Sequence, residues 1–220
     1  MTSTTDLQPA RPAATVVVVR ENDGQLEVLL LKRSDIGAFA GMWVFPGGRV
    51  DDSDDGVDEL SQSRSAAVRE AHEEVGLTVH TDQLITVAHW TPPLNAPKRF
   101  TTWFFLALWN GDEVRIDRHE IVDSRWMSGA EALRVKLPMA PPTYVTVSTL
   151  ARAETFAHAQ ELFAQRGVER YVTVPVRHQD GLMLLWDGDA GYSSADASVD
   201  GKRHRMLIVD GATTHYERSE

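Results

Sequence analysis

The chain has 220 residues, of which 42% are hydrophobic and 25% charged, and these proportions are typical of a soluble globular protein and exclude the disordered, collagen-like and coiled-coil classes. Its formal net charge of −10 disfavours binding to nucleic acid or to an anionic membrane. Because the chain contains no cysteine, disulfides, thiolate nucleophiles and cysteine zinc sites are excluded, and any metal must be held by oxygen or imidazole ligands.

The N-terminal segment, residues 1–12, is rich in Thr and Ser and lacks apolar periodicity, which predicts a disordered tail. The longest apolar run, residues 13–19, is far shorter than the roughly 20 residues that span a bilayer. The N-terminus also lacks the basic and then apolar pattern of a signal peptide. We therefore expect a cytoplasmic protein that does not bind membranes.

The next segment contains strand patterns. Two β-branched or leucine-rich runs, residues 14–20 and 26–32, flank an Asp-Gly pair, which predicts a β-hairpin. Residues 42–45 form a short predicted strand that ends at a Pro-Gly-Gly sequence, where we expect a sharp turn. Residues 51–62 are acidic without apolar periodicity, so we expect a loop there.

One helix has a clear signal. Ala67, Ala71 and Val75 recur at a spacing of four and Gly76 follows them, which predicts a helix over residues 63–75. Further strands, which indicate a mixed sheet, are predicted at residues 83–90, 99–109 and 120–127.

The remaining chain is predicted to form helices and small strands. A capping box at Ser128 and Glu131 opens a short helix, and a proline-bearing break precedes a helical pattern over residues 143–165. The small strands are predicted at residues 171–176, 182–186 and 205–209. We therefore divide the chain into a tail (1–12), a domain (13–135) and an extension packed on the same domain (136–220).

Three acidic residues share one face of the predicted helix. Glu70, Glu73 and Glu74 stand at i, i+3 and i+4, so their carboxylates repel one another unless a divalent cation binds. Oxygen-only ligation favours Mg²⁺ or Mn²⁺. The alternative is a solvated acidic face. Gly47 and Gly48 stand upstream, where the backbone can approach a metal or a phosphate closely.

These residues resemble the signature of the Nudix hydrolase family, G-x5-E-x7-R-E-U-x-E-E-x-G-U, where U is aliphatic. Its second half is matched by Arg69, Glu70, Ala71, Glu73, Glu74, Gly76 and Leu77. In the first half, five residues separate Gly48 from Asp54, which stands where the signature has Glu, and seven extra residues follow. Either Asp54 replaces the upstream carboxylate across an insertion or that carboxylate is missing. We expect Asp54 to be held loosely by the insertion and to be replaceable at modest cost.

The resemblance implies an α/β/α sandwich with a mixed sheet. It also implies an enzyme that hydrolyses a nucleoside diphosphate linked to another moiety with Mg²⁺ or Mn²⁺. On this reading Glu73 and Glu74 bind the metal with the Gly48 carbonyl. Glu70 either completes the metal site or takes the proton of the attacking water, and Arg69 orients the glutamates.

Other candidates lie outside the signature. Glu120 is a candidate general base, with a surface acid as the alternative. Trp90 precedes Thr-Pro-Pro at a strand end and is a candidate substrate contact, as are Arg33, Gly47 and Arg99.

A closer similarity extends over most of the chain. The sequences around residues 29–34, 41–48, 99–105 and 137–143 look like the branch that contains coenzyme A diphosphatases. That branch has an Arg where this chain has Gly37, and Arg33 is one candidate substitute. The similarity implies a coenzyme A-like substrate, with NADH and ADP-ribose as alternatives. A nucleotide-binding domain without catalysis is the alternative of another class, and a homodimer is the default assembly.

Overall fold

The computed structural model describes residues 9–37, 39–96 and 98–219. The strands are β1 (Arg11–Asn22), β2 (Gln25–Arg33), β3 (Trp43–Val44), β4 (Gly47–Arg49), β5 (Ile85–Thr91), β6 (Phe100–Leu108), β7 (Ile121–Ser128), β8 (Glu169–Val172), β9 (Val174–His178), β10 (Gly181–Leu185), β11 (His204–Val209) and β12 (Ala212–Arg218). The helices are α1 (Glu59–Val75), α2 (Gly129–Arg134), α3 (Pro141–Leu150) and α4 (Phe156–Arg166), with a 3₁₀ turn at Thr81–Gln83. Within these described ranges, no helix is both long and apolar enough to cross a membrane.

Two sheets organise the chain. The larger has eight strands in the order β3-β2-β1-β6-β5-β8, with β4 paired to β1 and β7 paired to β2. Its β1–β6 and β5–β8 pairs are parallel and its other pairs are antiparallel. The second sheet is antiparallel, in the order β12-β11-β10-β9. The predicted α/β fold with a mixed sheet is confirmed.

Strand β1 separates two hydrophobic clusters because successive side chains of a strand point to opposite faces. Val16 and Val18 pack in a cluster that contains the apolar face of α1. Val17 and Val19 pack in the other cluster, which contains side chains of α3 and α4. Helices therefore cover both faces of the large sheet, as expected for the sandwich. The second cluster also contains Trp186 and other residues of the C-terminal segment.

The hairpin and the end of α1 follow the sequence pattern. Asp23 and Gly24 connect β1 to β2 with positive φ angles of 48° and 74°, which suits a tight hairpin turn. Helix α1 ends at Gly76, whose φ is 70°. Its start at Glu59 is four residues earlier than predicted. Asp58 and Ser61 form a reciprocal capping box there, in which the Ser61 amide donates to Asp58 Oδ1 at 2.8 Å.

Other boundaries differ from the predictions. Residues 1–8 of the predicted tail lie outside the described residues, and Arg11 and Pro12 already belong to β1. The predicted strand before the Pro-Gly-Gly sequence ends at Val44 and the chain bends at Pro46, but Gly47 and Gly48 are not part of a turn, because they pair with β1 as strand β4. The helical pattern after the proline-bearing break forms two helices, and β12 was missed because its residues are mostly polar.

A buried ion pair fixes the loop before β11. Arg205 donates from Nε and Nη2 to the two oxygens of Asp189 at 2.7 and 2.6 Å. The amides of Gly191 and His204 also donate to this carboxylate, at 2.9 and 2.8 Å. Burial alone would raise the pKa of Asp189, but these hydrogen bonds and the Arg205 charge lower it to about 2.

We expect Asp189→Asn to lower the free energy of unfolding by about 3 kcal/mol at pH 7, because it leaves the buried Arg205 without its charged partner. Because the folded-state pKa of Asp189 is about 2 and its ordinary value is 3.8, this stabilisation is present above pH 3.8 and is lost as the pH falls through 2. Urea denaturation from pH 7 to pH 2 measures both effects. Asp187→Asn, exposed in the same loop, is the control. An equal loss in both variants would contradict this prediction.

Candidate functional site

A cavity of about 460 Å³ lies where the N-terminal end of β1, strand β4 and helix α1 meet. We call it the acid cavity. The described residues that line it include six acidic and three arginine side chains: Asp51, Glu70, Glu73, Glu74, Asp117, Glu120, Arg33, Arg49 and Arg69. The formal charge of this lining is therefore −3, which suits a cation or a cationic ligand.

Eight of the ten residues predicted for the site line this one cavity. They are Arg33, Gly47, Gly48, Arg69, Glu70, Glu73, Glu74 and Glu120. They come from β2, β4, α1 and the segment before β7, which are distant in sequence. The two remaining candidates, Trp90 and Arg99, do not belong to this group.

The two glycines of β4 allow close approach by strand β1 and by a side chain of α1. A Cβ atom on Gly48 would lie 2.3 Å from the Glu70 carboxyl carbon, and one on Gly47 would lie 2.4 Å from the Ala14 carbonyl oxygen. A larger residue at Gly47 would clash with the backbone of β1, whereas one at Gly48 would displace the flexible end of the Glu70 side chain. The absence of a side chain at Gly47 is therefore needed for backbone approach, as predicted from the sequence.

Glu74 is the buried carboxylate of the acid cavity. Only 6% of the residue is exposed, so the interpretation of the three glutamates as a solvated face is wrong for this position. Its Oε2 accepts a hydrogen bond of 2.9 Å from the Gly47 amide. Burial raises the pKa of Glu74 to about 8, although this amide bond and Arg33 act in the opposite direction. The Gly47 amide, predicted to bind phosphate, is thus occupied by a carboxylate.

Arg69 connects the carboxylates of α1 to the preceding loop. Its Nη1 donates to Glu70 Oε1 at 2.8 Å and to Glu73 Oε2 at 3.1 Å. Its Nη2 also donates to the Arg49 carbonyl at 2.9 Å. Burial raises the pKa of Glu70, and Arg69 acts against this effect. The geometry supports the predicted role of Arg69 in orienting the glutamates.

The residue on the other side of Arg69 is Asp54. Its two carboxylate oxygens accept from Arg69 Nε and Nη2, both at 2.9 Å, and one also accepts from the Asp51 amide at 2.8 Å. Burial would raise the pKa of Asp54, but these bonds lower it. The expectation that the insertion holds Asp54 loosely is wrong, because Asp54 is only 6% exposed and pairs in bidentate geometry. Asp54 is thus a partner of Arg69, and its replacement of the upstream carboxylate of the signature stays a prediction.

Arg33 lies between two carboxylates of the acid cavity. Its Nη2 donates to Glu120 Oε2 at 2.7 Å, and its Nη1 lies 3.7 Å from Glu74 Oε1. The Glu120 side chain is 64% exposed, whereas that of Arg33 is 17% exposed. Arg33 therefore places the Glu120 carboxylate on the cavity wall. A phosphate group that binds Arg33 must compete with these two carboxylates.

The carboxylate oxygens of Glu70, Glu73 and Glu74 are chemically suitable ligands for a hard cation, although their present positions do not form a coordination site. Within the described ranges, no group of three or more His, Cys, Asp or Glu side chains is arranged to hold a metal ion. Glu70 and Glu73 turn toward Arg69, and Glu74 turns toward the Gly47 amide. The chemistry of the donor set, three carboxylates with one buried, fits a divalent cation, because each carboxylate has a second oxygen besides the one that contacts Arg69 or the Gly47 amide.

Trp90 and Arg99 lie outside the acid cavity lining. Trp90 is 4% exposed, and its ring stacks on Tyr171 with centroids 3.8 Å apart. It lines a neighbouring cavity instead. The Arg99 carbonyl accepts a hydrogen bond of 2.9 Å from the Arg11 amide at the start of the β1–β6 pair. A substrate contact by the Arg99 side chain stays a prediction.

Sequence reasoning missed several residues of the acid cavity. Asp117 lines it and accepts bonds from the amides of His119 and Ile121, which shape the segment that carries Glu120. Phe39 and Phe100 also line the cavity. The signal for Phe39 was its position as an aromatic residue in a Gly-rich polar stretch, and Asp117 had no distinctive signal.

Comparison with known proteins gives a family match over most of the chain. The family model described as NUDIX domain matches residues 9–149. Nudix hydrolase 15, mitochondrial, from Arabidopsis thaliana is 35% identical over 82 residues, which make up 36% of this chain. The chain spans only 26% of that relative's length.

Solved structures show the same fold at low sequence identity. A NUDIX hydrolase from Alicyclobacillus acidocaldarius is 21% identical with a TM-score of 0.61, over 74% of this chain and 98% of that chain. The NUDIX domain of NrtR from Shewanella oneidensis, solved with ADP ribose, is 20% identical with a TM-score of 0.52. That match covers 67% of this chain and 90% of the NrtR domain.

We expect Asp54→Asn to weaken Mn²⁺ binding by about 10- to 100-fold, because a residue that orients metal ligands through Arg69 has effects of that order. Paramagnetic resonance titration of Mn²⁺ measures the change. Asp52→Asn, an exposed residue in the same loop, makes the same charge change and should bind Mn²⁺ normally. Equal affinities of the two variants would show that the pair with Arg69 does not align the ligands.

Proposed function

The chain belongs to the Nudix domain family, and from that premise we propose that it is a metal-dependent hydrolase of a nucleoside diphosphate linked to another moiety. The observation that carries this proposal is the convergence of Glu70, Glu73, Glu74 and Glu120 in one cavity with Arg33 and Arg69. These carboxylates and arginines come from three separate segments, β2, α1 and the segment before β7. They are the groups that hydrolysis of a phosphoanhydride requires.

The metal would be held by Glu70, Glu73, Glu74 and the Gly48 carbonyl. We propose Mg²⁺ or Mn²⁺, because the donors are oxygens only. When bound, the ion supplies positive charge to the diphosphate and makes a water molecule easier to deprotonate. Burial disfavours the ionised form of Glu74, and a cation bound in the acid cavity would stabilise that form.

The chain's own side chains would orient the substrate and accept the proton. Arg69 keeps Glu70 and Glu73 at the rim of the cavity through bonds of 2.8 and 3.1 Å. Glu120 is the proposed proton acceptor, because Arg33 holds its exposed carboxylate on the wall. Glu70 is the alternative acceptor if it does not bind the metal.

A second function, nucleotide binding without hydrolysis, is favoured by one observation. The carboxylates on α1 are hydrogen-bonded to Arg69 and to the Gly47 amide. If these contacts persist, a nucleotide could bind near the arginines while no metal binds. The presence of every acid of the second half of the signature, together with Asp54 beside Arg69, favours the enzyme.

The proposed substrate is coenzyme A-like, with NADH and ADP-ribose as alternatives. The likeness around residues 41–48 and 99–105 supports the first choice. The ADP ribose bound to the NrtR domain is itself a nucleoside diphosphate linked to a sugar, which supports the wider substrate class. Arg33, the candidate contact for the 3′-phosphate of coenzyme A, pairs with Glu120 instead.

We expect hydrolysis to require added Mg²⁺ or Mn²⁺. We expect Glu74→Gln to lower kcat by at least about 100-fold, because loss of one ligand weakens both metal binding and charge stabilisation. The Gln variant should be about as stable as the parent, since its amide oxygen can still accept the Gly47 hydrogen bond and burial already disfavours a charge at this position. Steady-state kinetics of the purified parent and variant, after chelation and with metal added back, measures the metal requirement and the change in kcat. Glu161→Gln, exposed on α4, is the control. Full activity after chelation, or a normal kcat in Glu74→Gln, would contradict the metal-dependent mechanism.

We expect kcat/KM for coenzyme A to exceed that for dGTP by about tenfold or more, because remote parts of a long substrate add binding energy that a triphosphate lacks. Dephospho-coenzyme A should match coenzyme A, because Arg33 is paired with Glu120 and is not free for the 3′-phosphate. A panel with NADH and ADP-ribose, followed by mass spectrometry of the products, measures these ratios. A lead for dGTP would contradict the long-substrate assignment.

A further inference from the structure

A second cavity of about 540 Å³ adjoins the acid cavity, and we call it the proline cavity. Four prolines belong to its lining: Pro92 and Pro93 after β5, and Pro141 and Pro142 at the start of α3. Trp90 and Leu184 close other parts of the wall. Most of these groups are apolar and rigid, so the cavity keeps its shape without a ligand.

The two cavities share part of their lining. Phe39, Phe100 and Thr102 line both of them. A molecule bound at the carboxylates of the acid cavity could therefore extend past Phe39 and Phe100 into the proline cavity. This continuity favours another part of the same substrate as the occupant of the proline cavity.

The charge of the second lining differs from that of the first. Lys98 is the only charged residue in the described lining of the proline cavity, whereas the acid cavity has nine charged side chains. A charged group of the substrate would lose its hydration in the proline cavity without gaining compensating partners other than Lys98. An uncharged group would instead gain from burial against prolines, Trp90 and Leu184.

Parts of the chain beyond the matched family segment contribute to this wall. The family match ends at residue 149, but Thr173 and Leu184 line the proline cavity. Trp90 is held by the stacked ring of Tyr171 in β8 and by the edge of Trp186, with centroids 5.5 Å apart. The C-terminal segment therefore both supplies and supports the wall.

We propose that the proline cavity binds an uncharged moiety of the diphosphate substrate. This inference rests on the proposed function, because the acid cavity must hold the diphosphate. Two sources of the uncharged moiety share this chemistry, a nucleoside and a pantetheine-like chain. Tyr171 covers one face of the Trp90 ring, so a ligand would contact the edge of this ring and the aliphatic side chains of the wall instead of stacking on that face.

Binding is tested with ¹⁵N-labelled protein and the uncharged probes adenosine and pantethine. The indole N–H of Trp90 is buried and without a hydrogen-bond partner among the described residues, and Trp90→Phe assigns its signal among the six tryptophans. We expect one of the two probes to shift this signal and inorganic diphosphate not to shift it. The active probe identifies which end of the substrate occupies the cavity.

Ala96→Phe fills the cavity and Leu94→Phe is the matched control. Both positions lie in the loop between β5 and β6, but Ala96 lines the cavity, whereas Leu94 is 63% exposed and is not part of that lining. We expect Ala96→Phe to weaken probe binding roughly tenfold or more, since small changes of pocket volume have effects of this size. Leu94→Phe should bind the probe like the parent.

Kinetics separate this inference from the proposed function. Ala96→Phe should lower kcat/KM for coenzyme A or NADH. It should leave kcat/KM for dGTP unchanged if pantethine is the active probe, and should lower it as well if adenosine is the active probe. If the parent hydrolyses none of these compounds, the proposed function fails, and the probe titration still decides whether the cavity binds uncharged groups. The inference is overturned if neither probe shifts the Trp90 signal, or if Ala96→Phe binds the active probe as well as Leu94→Phe does.

Discussion

The close approach of helix α1 to strand β4 is the constraint on which the site depends. Glu70 lies against the Cα of Gly48, and Glu74 accepts the Gly47 amide bond at 2.9 Å, so two successive turns of the helix are fixed to two successive residues of the strand. The same strand pairs with β1, which is parallel to β6 at the centre of the sheet. The position of the carboxylates is thus set by the backbone of the sheet rather than by side-chain packing alone.

Much of the fold could be predicted because its signals are local. The Asp-Gly turn between β1 and β2 and the stop of α1 at Gly76 depend on residues that adopt positive φ angles easily. The start of α1 could not be predicted from the pattern, because its capping box at Asp58 and Ser61 lies in an acidic run that is typical of a loop. Strand β4 was also hidden, because two glycines usually indicate a turn, whereas here they allow close contact between a strand and a helix.

The candidate site was predictable where spacing along one helix determines it. Glu70, Glu73 and Glu74 could be assigned together for this reason, but the burial of Glu74 depends on β4, which no helical pattern shows. The pair of Asp54 with Arg69 spans a 15-residue separation and an insertion, so sequence spacing left it open. The proline cavity was not predictable, because its walls come from segments that meet only after the sheet and the C-terminal strands have formed.

The parallel pairing of β8 with β5 has a consequence for how the chain folds. In the large sheet, β8 is the outermost strand on the β5 side, and its residues 169–172 pair with residues 88–91. During synthesis, β8, the second neighbour of β5, is therefore made about 80 residues after β5. Pairings between strands so distant in sequence form slowly. Until then β5 is an open edge whose unpaired amides and carbonyls can join another chain. A fragment that ended with the matched family segment at residue 149 would keep this edge open permanently and would expose the ring of Trp90 that Tyr171 covers.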